Sequence, residues 1–378
     1  MKTDAKSKPI YMDTNYSFEE RAADLVSRMT LEEKVAQIGN VAAAVNRLGV
    51  SGYDYWREAL HGVARQGKAT SFPSPLSMSN TWNRELIYKM ADMTATEARG
   101  KNNKLNLSYW SPTVNMARDP RWGRNEETFG EDPYLTGQLG IQFVSGMQGD
   151  DEKYLKTIAT VKHFIANNCE KERRGGTSVM SEKTLREYYA KVFQYIVEGA
   201  DPASAMSSYN AVTLTRGGKT LFDYVPAAAN PYTLIDLLRR NWGFSGYVTG
   251  DCGAVADLND KAAYKQTLFP GEDISKIPQS ATIAKSIRAG NDIDCGNASR
   301  PNGLEAVLNG YMSEEELNIA VYRLFLQRMR AGEFNPDSRY RDITSDVLEK
   351  DEHIAVTEEL AEESWVLLKN EDNILPLK

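Results

Sequence analysis

The stretch at 246–254, GYVTGDCGA, places a carboxylate directly after a strand pattern. Its first residues have the aromatic and β-branched bias of a buried strand, and glycines then surround Asp251. In α/β enzymes a carboxylate at such a strand end is held rigidly and faces the space above the sheet, where a nucleophile or a base is kept. The other interpretation is that Asp251 caps the next helix.

Two further strand ends offer polar groups. Lys162 and His163 close a predicted strand at 157–164, and Tyr209 follows another predicted strand. Adjacent residues on a regular strand point to opposite faces, so Lys162 and His163 reach one ligand only where the strand becomes irregular. The alternative is a solvated loop over which Lys162 extends its stem.

The loop at 119–133, DPRWGRNEETFGEDP, combines arginines, aromatic residues and acids between prolines. Fixed donors and flat apolar faces of this kind suit a sugar ring, because the donors meet its hydroxyls and an aromatic face meets its C–H groups. Arg121 and Arg124 are the two candidate donors in this loop. Arg, Lys, His, Tyr and Asp are thus all expected on one face of the fold.

Strand patterns alternate with helical ones along most of the chain. The alternation, the absence of long hairpin signals and the absence of a Gly-x-Gly-x-x-Gly string favour an α/β fold of the (β/α)8 TIM-like barrel type, with long catalytic-face loops, over a dinucleotide-binding sheet. Strands are predicted at 105–110, 157–164, 203–208, 247–249 and 292–294, and helices at 80–101, 134–147, 184–198, 230–241, 281–290 and 313–330.

Helix starts carry recognisable capping signals. Capping boxes are predicted at Thr30/Glu33, Thr184/Glu187 and Ser313/Glu316, and an Asn-Pro start at Asn230/Pro231.

We assign residues 1–345 to the barrel and 346–378 to a linker and the beginning of a truncated second α/β domain. The second assignment depends on a predicted helix at 361–370 that runs into the apolar residues of 374–377.

The 45 basic and 52 acidic residues give a net charge of −7, without a basic run, which argues against nucleic acid as a partner. No apolar run approaches the ~18 residues of a membrane span, and the first residues lack a signal-peptide core. The protein is therefore expected to be soluble, without a membrane partner.

Cys169, Cys252 and Cys295 form neither a disulfide framework nor a zinc site, although Cys252 can pair with Cys295 if the fold brings them together. We predict no metal and no cofactor.

Several strings, in order, resemble the glycoside hydrolase family 3 enzymes, and within them the β-xylosidase-like branch. They are TLEEKVAQ (30–37), EALHGV (58–63), GR (123–124), GEDPY (130–134), KHF (162–164), SYN (208–210), GDCGA (250–254) and AGNDIDCG (289–296).

The resemblance implies roles for individual residues. Asp251 matches the family's catalytic nucleophile, and Arg124, Lys162 and His163 match groups that hold sugar hydroxyls. Tyr209 matches a tyrosine beside the nucleophile.

Two positions distinguish this chain within the family. Glu58 matches the acid that binds the far hydroxyls in the xylosidase branch, where glucosidases carry Asp. Gly250 stands where the family usually has Ser, which is expected to loosen the local hydrogen bonding.

The implied activity is retaining hydrolysis that removes β-linked xylose from the non-reducing end of xylo-oligosaccharides, through a covalent glycosyl-enzyme on Asp251. The alternatives are a β-glucosidase, an α-L-arabinofuranosidase, or a catalytically dead sugar-binding barrel. A phosphate-binding barrel enzyme is disfavoured, because no late glycine-rich βα loop stands out.

A retaining enzyme needs a second carboxyl ~5 Å from the nucleophile as acid/base. In the family the acid/base is a Glu on a second domain or, in single-domain members, a His in the loop after KHF, and the loop at 165–177 contains no histidine. We therefore expect that the chain lacks its acid/base residue, and that Asp251 stays ionised because Lys162 or Arg124 lowers its pKa. The expected partners are a small oligosaccharide, the second domain of the same parent protein and a possible homodimer, and a periplasmic or secreted parent is implied.

Overall fold

The computed structural model of the protein describes residues 8–102 and 105–377. Its central feature is a curled five-stranded parallel sheet in the order β10-β9-β6-β4-β3. Every predicted strand is present in it. The strands within the described ranges are β1 Val41–Ala42, β2 Tyr53–Asp54, β3 Ser108–Tyr109, β4 Ile158–Phe164, β5 Thr177–Ser181, β6 Ser204–Ser207, β7 Ala211–Arg216, β8 Lys219–Pro226, β9 Tyr247–Gly250 and β10 Ile293–Asp294.

The register of this sheet brings the ends of its strands together. Ser207 of β6 pairs with Gly250 of β9, and Gly250 pairs with Asp294 of β10. Because the strands are parallel, the residues that follow them leave the sheet at one edge.

Eight-stranded closure is not established by the described residues. Two single bridges also contact the parallel sheet, from Gly39 to Asp294 at one edge and from Thr113 to Lys162 of β4. The α/β class is therefore confirmed, and the closed barrel stays a prediction.

The chain contains a long hairpin, although no long hairpin signal was recognised in the sequence. β7 and β8 form an antiparallel hairpin, and β5 joins it in a separate three-stranded sheet. The turn is made by Gly217 and Gly218, both with positive φ (56° and 76°), a conformation that glycine adopts without a Cβ penalty.

The helices agree with the periodicity in most places. Besides short 3₁₀ turns, π-helical segments occupy Leu185–Tyr189 and Tyr232–Asn241. The α-helices are α1 Phe18–Ser27, α2 Leu31–Val35, α3 Pro75–Ser79, α4 Arg84–Asn102, α5 Pro133–Gln148, α6 Glu182–Thr184, α7 Lys191–Ala200, α8 Ala254–Asp260, α9 Ala262–Leu268, α10 Gln279–Arg288, α11 Ser299–Leu308, α12 Glu314–Arg330 and α13 Asp351–Glu363.

The capping predictions are confirmed at three helix starts, Thr30/Glu33, Ser313/Glu316 and Asn230/Pro231. The box at Thr184 was wrong, because Ser181 caps α6 three residues earlier by accepting the Thr184 N–H.

Buried apolar side chains form two main clusters, one around α4, α5 and α7 and the other around α1, α10 and α12. Val356 and Leu360 bring α13 into the first cluster. The helix predicted at 361–370 was wrong in most of its length, because α13 ends at Glu363 and the residues at 364–370 are not helical. In the described ranges no helix is both long and apolar enough to span a bilayer.

Candidate active site

Asp251 lies just past the end of β9 and is 7% exposed. Its N–H donates to the Ser207 carbonyl (3.0 Å), and its Oδ1 accepts the Cys252 N–H (2.7 Å). Helix α8 begins instead from Gly253, which provides no side-chain cap. The capping interpretation of Asp251 is therefore wrong, and the carboxylate is free for another role.

The pKa of Asp251 is raised, contrary to the expectation from its cationic neighbours. Burial raises it most, and this outweighs the lowering by the Cys252 N–H and by the charges of Lys162 and Arg124. Oδ2 accepts no hydrogen bond from any described residue, and His163 Nε2 lies 3.7 Å from it.

Gly250 leaves little room for the serine that the family usually carries. A Cβ at this position would lie 2.7 Å from Val255 Cγ2 and 3.3 Å from Asn291 Nδ2. These distances concern space and not hydrogen bonding, so the expected loosening of the local hydrogen bonding stays a prediction. The substitution Gly250→Ser would require Val255 to move.

His163 is buried and oriented by Asn115, which sequence reasoning missed. Asn115 Nδ2 donates to the carbonyls of His163 (3.2 Å) and Asn167 (3.4 Å), so its Oδ1 is the acceptor of the His163 N–H (2.8 Å). Oδ1 also lies 3.0 Å from His163 Nδ1, which assigns the ring proton to Nδ1. Nε2 is then an acceptor that faces the region of Asp251.

His163 is held neutral by its surroundings. Burial lowers its pKa well below the ordinary value, and the charges of Arg124, Lys162 and Arg173 lower it further. A neutral imidazole beside Asp251 accepts a hydroxyl proton rather than adding a positive charge.

Lys162 is buried and paired with Glu58. Its Nζ lies 2.9 Å from Glu58 Oε2, and the two side chains are 4% and 23% exposed. The pairing of β4 with β6 shifts register between Val161 and Phe164, so the strand is irregular at the adjacent Lys162 and His163. This is the strand irregularity that a shared ligand required.

Arg124 is held by Glu127, which, like Asn115, was not selected from the sequence. Its Nε and Nη2 donate to Glu127 Oε1 and Oε2, both at 2.7 Å. Burial raises the pKa of Glu127, but the hydrogen bonds and charge of Arg124 outweigh this and lower it. The Arg-x-x-Glu spacing within the polar loop was the available signal.

A cavity of about 600 Å³ opens beside these pairs. Glu58, Arg124, Glu127 and Lys162 line it, together with the loop at 60–71. Asp251, His163 and Tyr209 lie outside its lining. The residues selected from the sequence thus form two groups: Glu58, Arg124 and Lys162 line the cavity, and Asp251, His163 and Tyr209 do not. The positive charges of Lys162 and Arg124 nevertheless lower the pKa of Asp251.

Tyr209 and a disulfide bond hold the chain that follows Asp251. The Tyr209 hydroxyl donates to the Cys252 carbonyl (2.9 Å), and burial, followed by the charge of Asp251, raises the pKa of Tyr209 to about 12. Cys252 is bonded to Cys295, as the sequence allowed but did not require. Cys169 is free and exposed.

Comparisons with known proteins identify the family. The family model described as "Glycosyl hydrolase family 3 N terminal domain" matches residues 30–326. The chain therefore belongs to glycosyl hydrolase family 3, as the sequence strings predicted.

Similar proteins of known name include xylosidases. The chain is 35% identical to the xylan 1,4-β-xylosidase of Xylanibacter ruminicola (97% of this chain, 42% of the relative). It is 37% identical to the exo-1,4-β-xylosidase of Emericella nidulans (97% and 48%). The chain thus spans about half the length of these relatives.

Two solved structures are similar over the same extent. One is a family 3 exo-β-xylosidase in complex with a xylobiose aziridine activity-based probe, with a TM-score of 0.87, 35% identity, and coverage of 97% of this chain and 47% of that one. The other is β-glucosidase 3B from Thermotoga neapolitana in complex with glucose, with a TM-score of 0.75, 28% identity, and coverage of 94% and 48%.

Proposed function

We propose that this chain binds the non-reducing-end sugar of a β-linked xylo-oligosaccharide and carries the nucleophile, Asp251, of a retaining β-xylosidase. The observation that carries the proposal is a buried carboxylate whose Oδ2 accepts no hydrogen bond from the described residues. The charges of Lys162 and Arg124 act on it. The names of the similar xylosidases and the presence of Glu58 support xylose as the sugar.

In the proposed first step, Asp251 Oδ2 bonds to the anomeric carbon while the bond from that carbon to the glycosidic oxygen breaks. The leaving oxygen takes a proton from an acid, and a glycosyl ester forms. In the second step, water gives a proton to the conjugate base and its oxygen displaces Asp251 from the anomeric carbon. Xylose leaves with retained configuration.

We infer that Lys162 and Arg124 donate to sugar hydroxyls, while His163 Nε2 accepts from one. The acidic partners Glu58 and Glu127 hold the two cations at the cavity, and both acids line it. Ion pairing at the rim of a sugar pocket fixes donors without leaving a net positive charge.

We propose that the acid/base residue is supplied from outside the described residues, by a second domain of the parent protein. Glu127 is a poor proton donor because the hydrogen bonds and charge of Arg124 lower its pKa. Glu58 is already engaged by Lys162, with Oε2 2.9 Å from Nζ. A substrate whose leaving group needs no proton would bypass this requirement.

The test is to incubate the chain with 2-deoxy-2-fluoro-xylosyl fluoride, which carries such a leaving group. We expect stoichiometric labelling of Asp251 in peptide mass spectra, and turnover of dinitrophenyl xyloside but little of xylobiose. Asp251→Asn is the control and should remain unlabelled. Labelling at another residue, or equal kcat on xylobiose with and without the second domain, contradicts the proposal.

The alternatives are a β-glucosidase, an α-L-arabinofuranosidase and a dead sugar-binding fold. Similarity to the Thermotoga neapolitana β-glucosidase favours the first of these. Rates of inactivation by the matching fluoro-glucoside and fluoro-arabinoside discriminate the sugars. Xylose binding without labelling favours the dead fold.

We also propose that the parallel sheet belongs to a closed (β/α)8 barrel.

We further propose that the parent protein is periplasmic or secreted. The Cys252–Cys295 bond supports this location, because disulfides persist mainly in oxidising compartments. Peptide mapping of the protein isolated from its native compartment, alkylated without reduction, should show Cys252 linked to Cys295 and Cys169 alkylated.

A further inference from the structure

Glu97, on helix α4, is a buried carboxylate that lies outside the proposed catalytic group and is 1% exposed. Its Oε2 accepts the Thr70 N–H at 2.9 Å. Its Oε1 accepts the Thr70 hydroxyl (2.6 Å) and the Glu349 N–H (2.8 Å), and lies 2.8 Å from His353 Nδ1. One carboxylate therefore joins three segments of the chain.

Two of these segments belong to the wall of the 600 Å³ cavity, since Thr70 and Glu349 both line it. The third partner, His353, is a buried residue of α13. Glu97 itself is not part of the lining. It is thus placed behind the wall, where it acts on the cavity through its partners.

The wall continues from Thr70 to Glu58 by close backbone contacts. The Phe72 N–H donates to the His61 carbonyl at 2.9 Å. A Cβ at Gly62, where φ is 115°, would lie 2.1 Å from the Thr70 carbonyl oxygen. Because the two ends of the loop touch here, a displacement of Thr70 displaces the stretch that begins at Glu58.

We propose that Glu97 is a positioning residue, which holds the cavity wall and Glu58 in place for the sugar and couples that wall to helix α13. The inference rests on the proposed function, because the sugar is the ligand whose binding it affects. Glu97 does not touch the reacting atoms, so its loss should weaken sugar binding without slowing the chemistry at Asp251.

The test uses Glu97→Gln and the nearly isosteric Thr70→Val, each in the full chain. In inactivation by 2-deoxy-2-fluoro-xylosyl fluoride, Glu97→Gln should raise the half-saturating concentration about tenfold or more, while the limiting rate stays within about twofold. Thr70→Val, which retains the backbone donor, should give a smaller increase in the same quantity. Amide hydrogen exchange of Phe72 should accelerate in both variants.

Glu333→Gln is the matched control, because Glu333 is also a buried carboxylate, paired with Arg328 through two hydrogen bonds (2.5 and 2.7 Å), and does not line the cavity. It should lower thermal stability and leave both the half-saturating concentration and the exchange of Phe72 unchanged. An unchanged half-saturating concentration in a folded Glu97→Gln chain overturns the proposal, as does a drop in the limiting rate alone.

Failure of the proposed function has a different signature. If the wild-type chain is not labelled at Asp251, the glycosidase proposal fails. The coupling of Glu97 to the wall then stands or falls on the exchange of Phe72, which needs no sugar.

Discussion

Two buried carboxylates in this molecule, Asp251 and Glu97, differ in how many hydrogen bonds they accept from the protein. Asp251 accepts one short hydrogen bond, at Oδ1, while its Oδ2 has none from the described residues. Glu97 is bonded at both oxygens by Thr70, Glu349 and His353. The first carboxylate is left with bonding capacity directed at a ligand, and the second has its capacity used within the fold.

The pKa values follow from this difference. For Asp251, burial raises the pKa and the few donors do not compensate. For Glu97, burial also acts to raise the pKa, but the hydrogen bonds from His353, Thr70 and Glu349 outweigh it and lower the pKa to about 2. Burial thus destabilises the anion at Asp251, where few donors oppose it, whereas at Glu97 the hydrogen bonds outweigh the effect of burial.

The largest effect is expected from Asp251→Asn. It removes the proposed nucleophile, so the rate of inactivation by the fluoro-xyloside should fall at least about a thousandfold. The same change removes an under-solvated charge, so the free energy of unfolding at neutral pH should rise by ~0.5–2 kcal/mol, the range typical of stabilising substitutions, and the melting temperature should rise with it. Calorimetry checks this, and a variant that melts earlier than wild type contradicts the assignment of a raised pKa.

Glu58→Gln tests the cavity wall that Glu97 is proposed to hold in place. It leaves the Lys162 ammonium, 4% exposed, without its anionic partner. We expect the half-saturating inactivator concentration to rise roughly 30-fold, and stability to fall by about 1–3 kcal/mol, because an unpaired buried charge is unfavourable. Titration of the inactivation rate measures the first. An effect confined to the limiting rate would place Glu58 in the chemistry instead.

Acid titration distinguishes the two carboxylates because their pKa values are shifted in opposite directions, upward for Asp251 and downward for Glu97. The folded-state pKa of Glu97 is about 2 against an ordinary 4.5, so its contribution to stability is present above about pH 4.5 and is lost as the pH falls toward 2. Urea unfolding across this range should show that loss in wild type, on the order of 1–3 kcal/mol, and a flatter curve for Glu97→Gln. Parallel curves would show that Glu97 is not the group responsible.

Asn115→Ala should give the smallest effect on the Asp251 side. Without the Asn115 amide, His163 loses the acceptor that orients its ring, so the half-saturating inactivator concentration should rise about fivefold, the order of one lost hydrogen bond. Asn115→Asp keeps the acceptor and adds a negative charge, which should raise the pKa of His163 enough for its ring to titrate in NMR spectra. An unresponsive ring would contradict the contact.

The sequence predicted the five strands of the parallel sheet and placed Asp251, Lys162, His163 and Tyr209 at or just past the ends of three of them, because those features depend on local pattern and parallel topology. It did not predict the sheet formed by β5, β7 and β8. It could not reveal which group orients each side chain. Asn115 and His163 are 48 residues apart, and Glu97 and His353 are 256 apart. Such pairs are created by packing alone, and a single sequence carries no signal for them.

The pairing of the cysteines makes the proposed site open to optical measurement. With Cys252 and Cys295 locked together, Cys169 offers the single free thiol in the chain, and it is exposed. It lies four residues before Arg173, whose guanidinium stacks 4.9 Å from the Tyr209 ring. A maleimide fluorophore added without reductant therefore attaches at one defined position on this loop, and its emission can report sugar binding even in a chain that performs no turnover.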